Sequence, residues 1–192
     1  MRILWLDAFH GGSHAAVAQG FQRHSRHAVE LLTLPIAGGW RWRMRGAAVT
    51  LARMARTLKV HPDLIVATDM LDLATFRALS ADVFGAIPVA LYFHENQLTY
   101  PLPSGRSRDL SFAWTNYTAA LAANTLLFNS AFHQRVFLAA LPDLLGRFHD
   151  YQEIDSVAMI AAKAQVLAPG VDLAFFDAFA RVPPRWRPAD LC

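Results

Sequence analysis

The chain alternates short, almost uniformly apolar runs with longer segments in which apolar residues recur at the period of a helix. Apolar strands without alternation are typical of a parallel sheet covered on both faces. Helical segments between successive strands make this a series of βαβ units with right-handed crossovers. The sequence therefore predicts an α/β fold with a doubly wound, Rossmann-like parallel sheet. The predicted strands are residues 3–8, 29–34, 64–68, 89–93, 125–128 and 165–167.

The predicted helices lie between these strands, near residues 13–25, 45–59, 71–84, 110–123 and 130–141. Their expected boundaries are the N-caps Ser13, Asp72 and Ser130 and the stop signals Pro62, Pro88 and Pro142. Long connections remain at residues 35–45, 96–108 and 142–155. Long loops in compact domains are often functional, so these three segments are candidates for binding.

Length and composition fit one globular domain. The chain has 192 residues, of which 54% are hydrophobic and 17% charged, a composition that forms a core and differs from that of disordered chains. We expect residues 1–180 to form the domain. Residues 181–192, rich in proline and arginine, are predicted to be a linker-like tail where a second lobe would begin.

Several sequence features predict a cytoplasmic protein without membrane association. No apolar stretch reaches the roughly 18 residues of a membrane span, and the N-terminus lacks the pattern of a signal peptide. The single cysteine, Cys192, permits no internal disulfide. The net charge of +3 mildly favours an anionic partner.

The first polar loop follows the first predicted strand and contains two consecutive glycines. Glycines at a strand–helix turn let the backbone approach a ligand, and the next helix N-terminus offers free N–H groups to an anion. The candidate donor- or phosphate-binding residues are Gly11, Gly12, Ser13 and His14. A tight turn that needs glycine for geometry alone explains this loop equally well. The Gly-x-Gly-x-x-Gly fingerprint of dinucleotide-binding proteins is absent.

The second polar loop follows the fourth predicted strand and begins with His94 and Glu95, the candidate catalytic residues. A histidine beside a glutamate can supply an acid or base, a partner for sugar hydroxyls or a metal ligand. Metal is the weakest option, because neither a helical His-Glu-x-x-His spacing nor a cysteine cluster supports it. A solvated loop with a capping asparagine is the alternative. In the common doubly wound order the first and fourth strands are neighbours, so we expect His14 and His94 to face one crevice.

A segment that interleaves tryptophan with arginine is the third candidate site. Arginines can bind phosphates while aromatic rings stack on bases. The alternative is an amphipathic start to the helix at 45–59, with tryptophan packed on the core. The candidate acceptor- or RNA-binding residues are Trp40, Arg41, Trp42, Arg43 and Arg45, together with Asn96, Gln97 and Tyr100 of the second loop.

Four of these segments, residues 7–14, 40–43, 92–101 and 128–132, resemble in order the tRNA-queuosine mannosyltransferase family. Its members look like two-lobed GT-B enzymes. Residues 166–176 are also similar to the Pro-Asn-Gly-Val-Asp segment that ends the N-terminal lobe of retaining GT-B transferases. The usual asparagine is missing here, since Gly170 directly follows Pro169.

The resemblance implies transfer of mannose from GDP-mannose to the cyclopentenediol of queuosine in a tRNA anticodon, with retained configuration and no cofactor. It implies that the Gly11–Gly12 loop approaches the donor diphosphate and that His94 contacts the transferred sugar. The chain would be the N-terminal, acceptor-side lobe, with the C-terminal donor lobe absent, and activity of the chain alone is left open. The alternatives are a non-catalytic RNA- or nucleotide-binding module and, more weakly, an epimerase-like oxidoreductase, against which the missing dinucleotide fingerprint counts.

Overall fold

A six-stranded, all-parallel sheet forms the centre of the computed structural model, which describes residues 1–59 and 61–177. The doubly wound, Rossmann-like α/β fold is therefore confirmed. Along the sheet the strand order is β2-β1-β3-β4-β5-β6. The strands are β1 (Arg2–His10), β2 (Ala28–Pro35), β3 (Leu64–Thr68), β4 (Val89–Phe93), β5 (Thr125–Phe128) and β6 (Ala164–Val166). The tail predicted at 181–192 lies outside the described residues.

Helical connections join each strand to the next. The helices are α1 (Gly12–His24), α2 (Trp40–Ala55), α3 (Leu73–Leu79), α4 (Ala81–Phe84), α5 (Leu110–Ala122), α6 (Ala131–Leu145), α7 (Ser156–Ala162) and α8 (Leu173–Asp177). Within the described ranges, none of them is long and apolar enough to cross a bilayer.

Two of the three predicted N-caps are confirmed. The side chain of Asp72 accepts the N–H of Thr75, and that of Ser130 accepts the N–H of His133. Ser13 is not a cap, because α1 begins one residue earlier and its N-cap is Gly11. The two glycines leave this helix start without a side-chain acceptor, so its N–H groups are available to a ligand.

Three predicted helix boundaries were wrong. The helix expected at 45–59 begins at Trp40, because Trp40 and Met44 continue the apolar face of α2 by a further turn. The helix expected at 71–84 is two helices that meet at Ser80, whose hydroxyl donates to Phe76 O. Helix α6 runs through Pro142 to Leu145, since burial of its last apolar residues offsets the hydrogen bond that proline removes.

The two faces of the sheet carry different amounts of helix. Leu6, Leu91 and Phe93 point to the larger core, which helices α2, α3, α5 and α6 cover. On the opposite face, Trp5 and Tyr92 belong to a smaller cluster, whose helical members among the described residues come from α1. Alternate strand residues thus serve alternate cores, as the period of two requires.

The expected strand order was wrong in one respect, because β3 lies between β1 and β4. Leu6 of β1 pairs with Ala67 of β3, and Thr68 of β3 pairs with Tyr92 of β4. After β1 the chain forms β2 on one side of that strand, and it then returns to form β3 on the other side. The crevice of the sheet therefore opens between β1 and β3, where ligands bind in sheets of this order.

Candidate functional site

Two histidines from separate loops meet above the carboxyl ends of the central strands. His14 lies in the first turn of α1 and His94 directly follows β4. Their rings stack with centroids 3.9 Å apart and an interplanar angle of 22°. The expectation that both loops face one crevice is confirmed. The contact spans the width of β3, because both side chains reach inward over that strand's end.

Asp7, near the carboxyl end of β1, is the hub of the first loop and is fully buried. Its Oδ2 accepts a hydrogen bond from Nδ1 of His10 at 2.9 Å. Its Oδ1 accepts the N–H of Phe9 at 3.1 Å and the hydroxyl of Thr68 at 3.3 Å. Nδ1 of His14 lies 3.6 Å from the same oxygen, an ion-pair distance. One carboxylate therefore ties β1, β3 and α1 together beneath the stacked rings.

The two stacked rings have opposite pKa shifts. Burial alone would lower the pKa of His14, but Asp7 and the negative charges of Asp69 and Glu95 raise it above its ordinary value. Burial, with the charge of His14, lowers the pKa of His94 to about 3. Burial would likewise raise the pKa of Asp7, yet its bonds to His14 and His10 bring it below the usual range. The surroundings thus favour the cationic form of the His14 ring and the neutral form of the His94 ring that stacks on it.

Asp69 and Asn116 hold the second loop in a closed ring of hydrogen bonds. Oδ1 of Asp69 accepts the N–H of His94 at 2.8 Å, while its backbone carbonyl accepts Nδ2 of Asn116 at 2.9 Å. Oδ1 of Asn116 accepts the N–H of Gln97 at 2.7 Å. The side chains of Asp69 and Asn116 are fully buried. Burial, followed by the nearby charge of Glu95, raises the pKa of Asp69 to about 7.

Unsatisfied polar atoms concentrate at this site. Within the described part of the chain, four buried side-chain nitrogen or oxygen atoms lack a hydrogen-bond partner. Three of them are Nδ1 of His14, Oδ2 of Asp69 and Nε2 of His94. Because buried polar groups are nearly always paired, this concentration indicates a surface shaped for a polar ligand.

The remaining second-loop candidates lie beside this cluster. Asn96 is buried and accepts the N–H groups of Leu98 and Thr99, so it shapes the loop itself. Nε2 of Gln97 donates to Oε1 of Glu95 at 3.1 Å. Tyr100 is half-exposed at the rim.

The family follows from sequence comparison. Residues 2–171 match the family model described as tRNA-queuosine alpha-mannosyltransferase N-terminal. The chain belongs to this family. Over 166 residues it is 32% identical to the tRNA-queuosine alpha-mannosyltransferase of Drosophila melanogaster, covering 86% of this chain and 43% of that protein. The chain thus spans less than half the length of that relative.

A structural comparison finds UDP-GlcNAc 2-epimerase from Neisseria meningitidis bound to UDP-GlcNAc. The match has a TM-score of 0.48 and 11% identity, and covers 95% of this chain and 50% of that one. The likeness is too distant to carry an argument about the site. The assignment to the tRNA-queuosine alpha-mannosyltransferase family therefore rests on sequence, and the fold on the sheet itself.

In this family member the first-loop glycines border the histidine pair. Gly12 has a positive φ of 52°, and nothing lies within 4 Å of the position a Cβ would take. Ser13 is exposed beside it and His14 is buried behind. The open space in front of the α1 N-terminus suits a phosphate, since free N–H groups and the helix dipole attract anions.

The Trp/Arg segment of the chain is helical and divides into packed and free residues. Arg43 donates to the carbonyls of Pro35 and Ala37, at 3.1 and 2.9 Å. Arg45 donates to Oγ of Ser111 and lies over Phe112, on which Trp40 also packs. Trp42 is 72% exposed and Arg41 is also exposed. Exposure leaves Arg41 and Trp42 as candidates for binding RNA, although Arg41 also has a contact within the segment, because its guanidinium lies 4.6 Å from the ring centroid of Trp40.

Several site residues were missed by sequence analysis. Asp69 follows β3 just as His94 follows β4, so the same rule of polar residues after an apolar strand would have found it. Asp7 ends the apolar run of β1 and was detectable in the same way. Asn116 has no such signal, because it lies in the middle of the apolar helix α5. Within residues 1–59 and 61–177, no group of three or more His, Cys, Asp or Glu could hold a metal ion.

Proposed function

We propose that the chain is the acceptor-side, N-terminal lobe of a retaining GT-B glycosyltransferase that transfers mannose from GDP-mannose to queuosine in tRNA. The stacked His14–His94 pair supports this best, because it brings a cation and a neutral hydrogen-bonding ring together beside a helix N-terminus. Membership of the tRNA-queuosine alpha-mannosyltransferase family supports a mannosyl group and a queuosine acceptor. GDP as the leaving group and retention of configuration are parts of this proposal. A non-catalytic RNA-binding module would not need this buried cluster.

In the proposed reaction the bond between the anomeric carbon of mannose and a β-phosphate oxygen breaks, and GDP leaves with the electron pair. A hydroxyl oxygen of the queuosine cyclopentenediol bonds to the anomeric carbon and loses its proton. Negative charge therefore grows on the diphosphate, and positive charge on the sugar. A site for this step needs a fixed cation at the leaving group and a proton acceptor near the hydroxyl.

His14 and the α1 N-terminus are the proposed partners of the diphosphate. The raised pKa of His14 favours the cationic form of its ring. The free N–H groups that follow Gly11 add the positive end of the helix dipole. The His14 ring is fixed before the reaction, because Asp7 holds it in place. The N–H groups are fixed as part of helix α1.

His94 and Glu95 are the proposed partners of the sugar and the acceptor. With a pKa of about 3, His94 stays neutral and serves as a hydrogen-bond partner of a sugar hydroxyl. The carboxyl group of Glu95, beside it, is the proton acceptor in this scheme. Gln97 orients that carboxyl group through its side-chain amide.

The test is a transfer assay with GDP-mannose and queuosine-containing tRNA, using the chain supplied with a relative's donor lobe. His94→Ala should lower turnover about 10²-fold, because it removes a bond made chiefly in the transition state. His149→Ala, which changes an exposed histidine, is the control. Normal turnover in His94→Ala would remove His94 from the reaction centre, and no transfer by the wild type would reject the function.

RNA binding is tested separately with Arg41, an exposed arginine of α2 whose guanidinium lies over the Trp40 ring. Arg41→Ala should weaken tRNA binding and reduce the slope of log affinity against log salt by about 1, with turnover unchanged at saturating tRNA. Arg147→Ala, an exposed arginine beyond the C-terminal end of α6, is the matched control. Equal salt slopes in both variants would exclude Arg41 from the RNA contact.

A further inference from the structure

A cavity adjoins the histidine pair on the side of β5. It measures about 420 Å³ and lies between the second loop and the first turn of α6. A volume of this size suits a small molecule or one unit of a larger one. Because His94 and Glu95 line it, any molecule that fills it touches the proposed reaction centre.

The inner wall of this cavity is polar but internally bonded. Nδ2 of Asn96 lies 2.8 Å from Nε2 of His133, and Nδ1 of His133 lies 3.0 Å from Oδ1 of Asn129. Nδ2 of Asn129 donates to the carbonyl of His94 at 2.7 Å. The hydroxyl of Ser130 donates a hydrogen bond to Oδ1 of Asn129. The network fixes the wall's shape and leaves recognition by hydrogen bonds mainly to the floor, at His94 and Glu95.

The outer rim is aromatic and exposed. Phe132, in the first turn of α6, is 65% exposed, and the guanidinium of Arg135 lies 5.6 Å from its ring centroid. Tyr100 lines the same cavity and is 47% exposed. An exposed phenyl ring beside an arginine is the kind of surface on which nucleobases stack next to a phosphate backbone.

We propose that this cavity holds the acceptor nucleoside, with the base stacked on Phe132 at the rim and its hydroxylated substituent at His94 and Glu95. This inference rests on the proposed function and deepens it by separating base recognition from chemistry. Arg135 lies where it contacts the phosphate of the same or the next nucleotide. In this arrangement the hydroxylated arm is the part of the nucleoside that contacts His94 and Glu95, so the cavity should favour a modified base.

The test measures binding of the 192-residue chain to two stem-loop RNAs, one with queuosine in the anticodon and one with guanosine there. Phe132→Ala should raise the Kd for the queuosine RNA about tenfold, the loss expected for one stacked base. Phe132→Tyr should keep the wild-type Kd, because it retains the ring. Tyr151→Ala, which removes an aromatic ring that is 88% exposed outside the cavity, should also bind as the wild type does.

Different results would reject the stacking site at Phe132 and the proposed transferase function. Unchanged Kd in Phe132→Ala overturns the stacking site, as does failure of the chain to bind either RNA, whatever the transfer assay gives. Ultraviolet cross-linking of the bound RNA to Phe132, without any mannose transfer by the chain joined to a donor lobe, supports the site and rejects the transferase. Equal affinity for both RNAs overturns the assignment of the floor to the hydroxylated arm.

Discussion

His14 and His94 are chemically distinct although their rings are stacked. Asp7 favours the cationic form of His14, whereas burial and the charge of His14 keep His94 neutral. A cation against a neutral ring avoids the repulsion of two imidazolium groups in a buried place. The difference between them arises because Nδ1 of His14 lies 3.6 Å from Asp7, whereas burial dominates the pKa shift of His94. Asp7 is therefore the residue whose change best tests the charge distribution.

Asp7→Asn should lower the pKa of His14, because burial is then opposed only by the charges of Asp69 and Glu95. Histidine ring resonances followed by NMR from pH 4 to 9 measure this directly. His94 should not titrate between pH 5 and 8 in either protein. An unchanged His14 titration in the variant would contradict the Asp7 ion pair.

The same variant should show a pH-dependent loss of stability. The raised pKa of His14 stabilises the fold fully below pH 6.5 and less as pH rises through the folded-state value. The lowered pKa of Asp7 stabilises the folded state above pH 3.8. The cost of Asp7→Asn, about 1–3 kcal/mol, should thus be largest between about pH 4 and 6.5 and shrink above. Asp143→Asn, which changes an exposed carboxyl of α6, is the control in urea unfolding.

Asp69→Leu should release the His94 loop, because the N–H of His94 loses its acceptor. We expect a loss of about 1–3 kcal/mol in unfolding free energy and faster amide exchange at His94 and Gln97. Asp69→Asn keeps an acceptor oxygen and should keep the slow exchange. Slow exchange in both variants would show that the loop does not depend on Asp69.

The asparagine variant also tests the charge of Asp69. The raised pKa of Asp69, about 7, makes the folded protein bind a proton that the unfolded chain releases near 3.8. Wild-type stability therefore falls as pH rises from about 4 to about 7, and Asp69→Asn should lack that part of the fall. Parallel stability curves for the two proteins would contradict the raised pKa.

At the scale of elements, the β1–α1 turn is built on two glycines with different constraints. A Cβ on Gly11 would lie 2.5 Å from Cγ2 of Ile36, a side chain that is 53% exposed and able to move. A Cβ on Gly12 meets nothing, but its φ of 52° disfavours any other residue. A side chain at position 11 would force Ile36 to shift, whereas one at position 12 would strain the backbone.

Gly12→Ala should cost about 1 kcal/mol of unfolding free energy from backbone strain alone. Gly11→Ala should also destabilise, and Ile36→Ala should relieve that cost but not the cost at Gly12. A double-mutant cycle in urea measures both, with Gly20→Ala, in the open middle of α1, as the neutral or stabilising control. Equal relief at both glycines would reject the distinction.

Helix α2 shows how one element combines packing and binding surfaces. Trp40 and Met44 bury toward the core, while Trp42 points outward over Gly46. The tryptophan–arginine alternation that suggested RNA binding is also the start of an amphipathic helix. The interpretation as an amphipathic helix is confirmed for Trp40 and Met44, whereas RNA binding by the exposed residues of the segment stays a prediction.

At the scale of the whole molecule, the site lies on one open edge of a single sheet. The 192-residue chain alone should transfer mannose at less than about 1% of the rate of the chain joined to a donor lobe. The reason is that one lobe cannot orient the donor or exclude water from it. The transfer assay measures both proteins side by side, and comparable rates would contradict the two-lobed GT-B proposal.

Local patterns were sufficient for the parallel sheet, the caps at Asp72 and Ser130 and the two polar loops. Strand order, the role of Asn116 and the split use of the Trp/Arg helix depended on tertiary structure. Hydrophobic periodicity and capping act within a few residues, so both can be recognised directly in the sequence. The ring that joins Asp69, Asn116 and Gln97 closes across 47 residues of chain, between Asp69 and Asn116. Only packing decides which distant polar groups meet, because burial forces them to find partners in whatever arrangement the core allows.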